Sequence, residues 1–325
     1  GTERIGLNNQ TIVNPGSNPD PEPEPDLDES NSLADERAKD LIDQGYIPLA
    51  SLADFQAINA TQSSHNFAAG TEFELTTTGG FSKNYVVVNN INLSTTNPLT
   101  TSLVNPTSAD GWFSGILDGN GYTLANLMID NNSNNSGLFS RLDGANIRNI
   151  TLSNFSVTGA ATTAILAGGN QQGGNTLISG VSIINSRVSS SNDQIAGFIG
   201  FNSGKITFNQ VSFQGNITGG SYVGGIIGRN QIGGEIEMND VINQGYVNGA
   251  GVVDGIMGTN EGNLTMSAIF NYGEVTGSDL VAGILALNTS KASIDLTNNY
   301  GPIYATNNAA GGLIGRNDHI IEIRS

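Results

Sequence analysis

The chain contains no cysteine, which excludes disulfides, thiolate metal sites and a cysteine nucleophile. Histidine is nearly as scarce. His65 and His319 lie far apart, and neither sits in zinc-ligand spacing such as HExxH. Charged residues make up only 13% of the chain, about half the usual share, so a coiled coil or helical bundle is excluded. Twelve basic residues face 29 acidic ones, and the net charge of -17 argues against nucleic acid as a partner. No apolar run approaches the ~20 residues of a membrane helix. There is no GxSxG elbow, P-loop or dinucleotide fingerprint. The glycine-rich GGNQQGGN at 168–175 lacks the lysine and the following helix that would hold a phosphate, and it reads as a surface loop.

What is present is glycine (43) and asparagine (42), with 37% apolar residues, enough to build a core. Residues 1–45 differ from the rest. They carry a net charge of -8, almost half the total, and residues 14–28 read NPGSNPDPEPEPDLD. Alternating proline and acid stiffens and extends a chain, so residues 1–31 are expected to form a disordered acidic tether. Residues 32–70 are expected to form a short helical cap. Ser32 would cap a helix over 32–43 with Asp35 and Glu36 in its first turn, and Gly45 would stop it. Leu52, Phe55 and Ile58 space a second amphipathic turn. Beyond about residue 71 the helix signals vanish, and short apolar runs alternate with Gly, Asn, Ser and Thr.

A repeat organises residues 71–325. A glycine, two apolar residues and a small residue recur as GLFS at Gly137, GFIG at Gly197, GIIG at Gly225–Gly228, GIMG at Gly255, GILA at Gly283 and GLIG at Gly312–Gly315. AILA at Ala164 completes the series, and the spacings are 27, 33, 28, 30, 28 and 29 residues. An asparagine follows each of the later units, at Asn202, Asn230, Asn260, Asn288 and Asn317. An Asn-x-Gly-x-Val-x-Gly block recurs at Asn243 and Asn271, and with Ile303 in place of valine at Asn299. Three strands of ~5 residues and three turns of ~4 fill one such period. A single unit cannot bury its apolar face, but stacked units can. A leucine-rich repeat would need a leucine-asparagine consensus, and a propeller blade is longer. The expected fold is therefore all-β: a right-handed parallel β-helix of nine or ten coils, its hand following the general preference for right-handed crossovers.

Alternation within the third block turns Asn243, Asn271 and Asn299 inward, where they would stack as an amide ladder. The repeated glycines would serve tight corners that need a positive φ or no side chain. On the outward side stand Tyr246, Tyr272, Tyr300 and Tyr304. They are the candidate ligand contacts, with ring faces about one coil apart for stacking on sugars or on a protein, although shielding of strand backbone would also explain them. Segment 318–325, DHIIEIRS, would finish the last coil.

These units resemble the GLUG-motif family, whose signature is the GLIG of Gly312–Gly315 and the GIIG of Gly225–Gly228. The stretches IPLASLADFQAI, KNYVVVNNINLS and WFSGILDGNGYTLANLMI are similar to the N-terminal module of such proteins, so the resemblance covers about 47–317. It implies an exported bacterial surface β-helix, as found in adhesins or beside the protease domain of immunoglobulin A peptidases, and it supplies no catalytic residue. The tether resembles the spacer of a surface lipoprotein, whose lipid anchor would precede Gly1.

β-Helices also host polysaccharide lyases and hydrolases, and a glycosidase needs two carboxylates ~5–9.5 Å apart. Asp118, Asp143, Asp193, Asp240, Asp254, Asp279, Asp295 and Asp318 fall in different phases of the repeat, and Asp118 lies in a DGNG turn. Lys205, Lys291, Arg148 and Arg187 form no evident cluster. The expectation is a non-enzymatic, monomeric, extracellular adhesin-like or ligand-binding module. Its ligand would be a surface glycan or protein, with no cofactor, metal or transmembrane segment. A carbohydrate-active enzyme and a passive spacer are the alternatives.

Overall fold

A computed structural model describes residues 27–106 and 111–324. Most of the expected tether, 1–26, lies outside the described residues. The fold is a parallel β-solenoid of about eight turns with few helices. One coil shows how the sequence builds it. Ile227–Asn230, Glu235–Asn243, Tyr246–Gly249 and Val253–Asp254 are its successive strands. Each pairs in parallel with its equivalent in the next coil. The strands are thus four and unequal, not three of similar length. They stack into a large sheet of 17 strands, a second of six and a third of seven. The three sheets enclose one continuous core. Its spine in the large sheet is a column of paired inward residues: Ile47, Tyr85, Leu117, Ile147, Ile178, Phe208, Met238, Met266, Ile294 and Ile323. The second and third sheets begin later in the chain, so fewer turns are complete than the nine or ten expected.

The bends fall where the chain adopts a left-handed residue. Asn149, Gly180, Gln210, Asp240, Ala268 and Leu296 share one phase, each with φ between 43° and 60°. Only one of the six is glycine, although the left-handed region costs other residues about 1–2 kcal/mol. The motif glycines serve a different need, since none of them has a positive φ. The first glycine of the motif faces the asparagine ladder at Gly225, Gly255 and Gly283, which lie against Asn243, Asn271 and Asn299. A Cβ on Gly255 would strike the Gly283 carbonyl and Asn271 Cγ, and one on Gly283 would strike Asn299 Cγ and the Gly312 carbonyl. The second glycine lies against the corner before it: a Cβ on Gly228 would sit 2.6 Å from the Gly200 carbonyl oxygen and 2.7 Å from that of Tyr222. Close approach, not corner geometry, is what the repeat encodes.

Two buried ladders run up the core. Asn243 Nδ2 donates to Asn271 Oδ1, and Asn271 Nδ2 to Asn299 Oδ1, each at 2.7 Å. A longer ladder joins Asn170, Asn202, Asn230, Asn260, Asn288 and Asn317 through five donations of 2.7–2.9 Å. Each amide satisfies its neighbour in a dry interior, where a lone amide would be costly, and so fixes the register of the coils.

The N-terminal segment departs from expectation. Helix α1, Leu27–Asp43, starts ahead of Ser32, which therefore lies inside it and is not its cap. Gly45, with φ 91°, turns the chain after the helix. Helix α1 covers a flank of the first coils. Its Ala38 and Leu41 pack with Tyr46, Val86 and Val88, which face outward because Tyr85 and Val87 face in. The end of the core is instead closed by helix α2, Leu52–Ala57, capped by Ser51, and by the hairpin Ser64–Phe67/Leu75–Thr78. Phe55, Ile58 and Phe67 enter the main core there, and Phe67, Tyr85, Phe113 and Phe139 continue as an aromatic file with centroids 4.6–6.4 Å apart. At the other end, residues 318–324 do not close the core. Ile321–Arg324 adds one more strand, and Ile323 stays 64% exposed beside an open apolar hollow of about 340 Å³ lined by Ile284, Ile294 and Leu313.

Candidate functional site

Of the three buried carboxylates among the described residues, Asp118 and Asp54 are spent on structure. Asp118 is fully buried, and its oxygens accept from Arg37 Nη2 at 2.5 Å, Arg148 Nε at 2.6 Å and the Asn120 amide at 2.9 Å. Burial pushes its pKa up, but Arg37, the Asn120 N–H and Arg148 outweigh this and hold it below the usual value. Asp118 therefore makes its turn and also anchors α1. Asp54 accepts from the Ala50 amide, Ser51 Oγ and His65 Nε2 at the start of α2. The serine bonds the aspartate and not the histidine, so no nucleophilic relay exists there. Among the described residues no group of three or more His, Cys, Asp or Glu could hold a metal ion.

Asp254 is the exception in kind. It stands in a column of small residues, Ala164, Ala196, Gly224, Ala282 and Gly311, all in the second sheet. It is completely buried; Oδ1 accepts from the Ile256 amide at 2.8 Å and Oδ2 has no partner. Burial raises its pKa well above the usual carboxylate value, against the pull of the Ile256, Met257 and Gly255 amides. The folded state then holds a proton that the unfolded chain loses, so stability is full below the unfolded pKa of ~3.9 and falls as pH rises above it. Asp254→Ala copies the neighbouring coils. It should raise the melting temperature at pH 8 by several degrees and flatten its decline between pH 5 and 8. An unchanged slope in thermal melts would show that Asp254 carries no such penalty.

The four outward tyrosines do not form one stripe. Tyr272 and Tyr300 stack on adjacent coils, 5.0 Å between centroids and 15° between planes. One face of each ring is covered by the other and Phe270 lies beside Tyr272 at 6.5 Å, yet both tyrosines remain about half exposed. Tyr304 pairs with Thr276 in a separate column. Tyr246 pairs with Asn216 in a third.

Tyr246 instead lines a groove of about 780 Å³ that the repeats alone do not announce. One wall is a row of amides, Asn126, Asn154, Asn185, Gln214 and Gln244, taken from successive coils. The other is the paired column Met128, Ser156, Arg187, Asn216 and Tyr246. Phe155, Ser186 and Gly215 lie between the walls. No Asp or Glu lines the groove. Along the first wall, Asn154 Nδ2 donates to Asn126 Oδ1 at 2.7 Å and Asn126 Nδ2 to Asn92 Oδ1 at 3.0 Å. Arg187 Nε donates to Ser156 Oγ at 2.7 Å. The row of exposed amides was the signal for the groove. It is masked in sequence because the register between 175–189 and 205–219 shifts between Ile183 and Ser186.

No family model matches the chain. Over 118 residues, 34% of this chain, it is 38% identical to halomucin of Haloquadratum walsbyi (strain DSM 16790 / HBSQ001), and it spans 1% of that protein's length. A crystal structure from Bacteroides ovatus, described as a "putative immunoglobulin A1 protease", superposes with a TM-score of 0.54 at 13% identity. That match covers 82% of this chain and 84% of the other, and at this identity it speaks for the fold alone. No helix among the described residues is long and apolar enough to cross a membrane.

Proposed function

We propose that the chain is a non-enzymatic cell-surface module that binds a ligand along the flank of its solenoid, built from GLUG-type repeats. The carrying observation is the groove: a long outward cleft lined by amides, Arg187 and Tyr246, with no carboxylate to act as acid or base. The similarity to part of halomucin supports a place at the cell surface. The solenoid carries this flank on a rigid rod, which suits adhesion, and a lipid anchor ahead of the acidic N-terminal segment would hold it at the surface.

The test is retention. The immobilised chain is incubated with a panel of bacterial, algal and animal glycans and surface proteins, and bound material and new reducing or unsaturated ends are both scored. The expected result is retention of a ligand with no new ends. New ends would overturn the non-enzymatic reading, and retention of nothing would overturn the binding one.

A further inference from the structure

We infer, resting on the reading above, that the groove is a cleft for a single linear chain of uncharged sugar units lying parallel to the solenoid axis. Its length follows from the repeat. Ser94, Asn126, Asn154, Asn185, Gln214 and Gln244 come from successive coils, and coils rise ~4.8 Å each, close to one sugar unit of an extended chain. A ligand with its own linear repeat is the natural match for such a wall.

The chemistry narrows the class. Asn185, Gln214, Asn216 and Gln244 are exposed, and none of their side-chain amides bonds another protein group. Each offers two donors and an acceptor, the complement of neighbouring hydroxyls on a sugar. Their unspent capacity contrasts with Asn126 and Asn154, which donate to one another's row. Tyr246 and the half-exposed Met128 supply apolar surface for the C–H face of a ring. Charge excludes a polyanion. A single cation, Arg187, lines the groove, and a chain of net charge -17 repels acidic polymers at long range. Peptide addition as an extra strand is closed off as well. The strands beneath the groove, 175–189 and 205–219, are each paired on both sides and leave no free edge.

The probes are soluble β-glucan, galactomannan and xylan as neutral chains, alginate as the acidic one, and oligomers of increasing length cut from the neutral chain that binds. Affinity gel electrophoresis and calorimetry should show at least one neutral chain retained and alginate not retained. Affinity should rise with oligomer length and level off at about six units, one per coil. Tyr246→Ala and the pair Gln214→Ala with Gln244→Ala should each weaken binding about tenfold or more, which is about 1.4 kcal/mol. Their melting temperature should not change, because these side chains lie on the surface. Tyr304→Ala, outside the groove, should bind as wild type. Preference for alginate, affinity independent of length, or undiminished binding by the groove variants would each overturn the inference. Retention of a protein, or of a glycan by another face, would overturn it while leaving the surface-binding reading intact. Retention of nothing would end both.

Discussion

Replacing Asp118 by alanine should destabilise the N-terminal coils by about 3 kcal/mol, and it should free helix α1 from the solenoid. The carboxylate is fully buried, and two guanidiniums converge on it from opposite directions in the sequence. Arg37 also donates to Asn120 Oδ1 at 2.6 Å, and Asn120 Nδ2 donates to the Ala34 carbonyl at 2.7 Å, so the same turn grips α1 twice. Removing one partner of a buried ion pair costs ~3–5 kcal/mol because it strands the other charge. The low end applies here, since the Arg37 and Arg148 side chains keep 40% and 28% of their exposure. Stacked repeats couple mainly to their neighbours, so the loss should stay local. Hydrogen exchange should rise over 33–49 and over the strands at 85–87 and 116–118, while the C-terminal coils stay protected. Uniform loss of protection would show that the solenoid melts as one unit. The pH dependence has a defined sign. The folded carboxyl titrates below its unfolded value of ~3.9, so the stabilisation is present above that value and lost as pH falls through the folded pKa. Asp118→Asn should therefore resemble the wild type at low pH and differ from it at pH 7.

The contrast between Asp118 and the repeat shows which parts of the fold were legible. Periodic features were readable because every coil states them again: the glycine-apolar-apolar-small motif, the Asn243–Asn271–Asn299 series and the stacking itself. The longer asparagine ladder was equally visible as a spacing, yet its inward direction depends on where the bends fall, and those bends use Asn, Gln, Asp, Ala and Leu more than glycine. Single events leave no such trace. Nothing near Asp118 in sequence points to Arg37, 81 residues away. Helix α1 read as an end cap because an amphipathic helix before a β-helix suits that place. Its partners Val86 and Val88 reveal a flank only once Tyr85 and Val87 are known to point inward. The tyrosines were correctly placed outside, but phase alone does not orient a ring. Tyr272 and Tyr300 each turn one face to the other. The groove is hard to read from sequence because Asn185 comes into line with Gln214 only through the shift near Ile183 and Ser186.

The same motif position should give opposite outcomes at two coils, and this is the sharpest check on why the repeat is conserved within the chain. Gly225→Ala should be the more damaging of two chemically identical changes. A Cβ there would overlap the Gly255 carbonyl and come within 2.9 Å of Asn243 Cγ and 3.1 Å of its Nδ2. A backbone carbonyl cannot retreat as the far end of a flexible side chain would. Pushing the Asn243 amide aside breaks its donation to Asn271. Overpacking a closed core costs ~1–3 kcal/mol, and a broken buried amide pair adds ~1–3 kcal/mol more. The sum reaches a large part of the ~5–15 kcal/mol that holds an ordinary domain together. The variant should therefore lose its cooperative melt or accumulate as aggregate. Gly312→Ala should do neither. Its position in the motif is equivalent, but beyond its chain neighbours no atom of the described residues lies within 4 Å of the added Cβ. Its φ is also not in the left-handed region, so alanine fits without strain. The unfolding free energy of Gly312→Ala should stay within the small range typical of surface changes, about 0.5 kcal/mol, with little change in melting temperature. If both variants melt alike, the glycines serve chain flexibility or folding, not the contact with the next coil. If only Gly225→Ala fails, the motif is a record of close approach, written at every coil that has another stacked upon it.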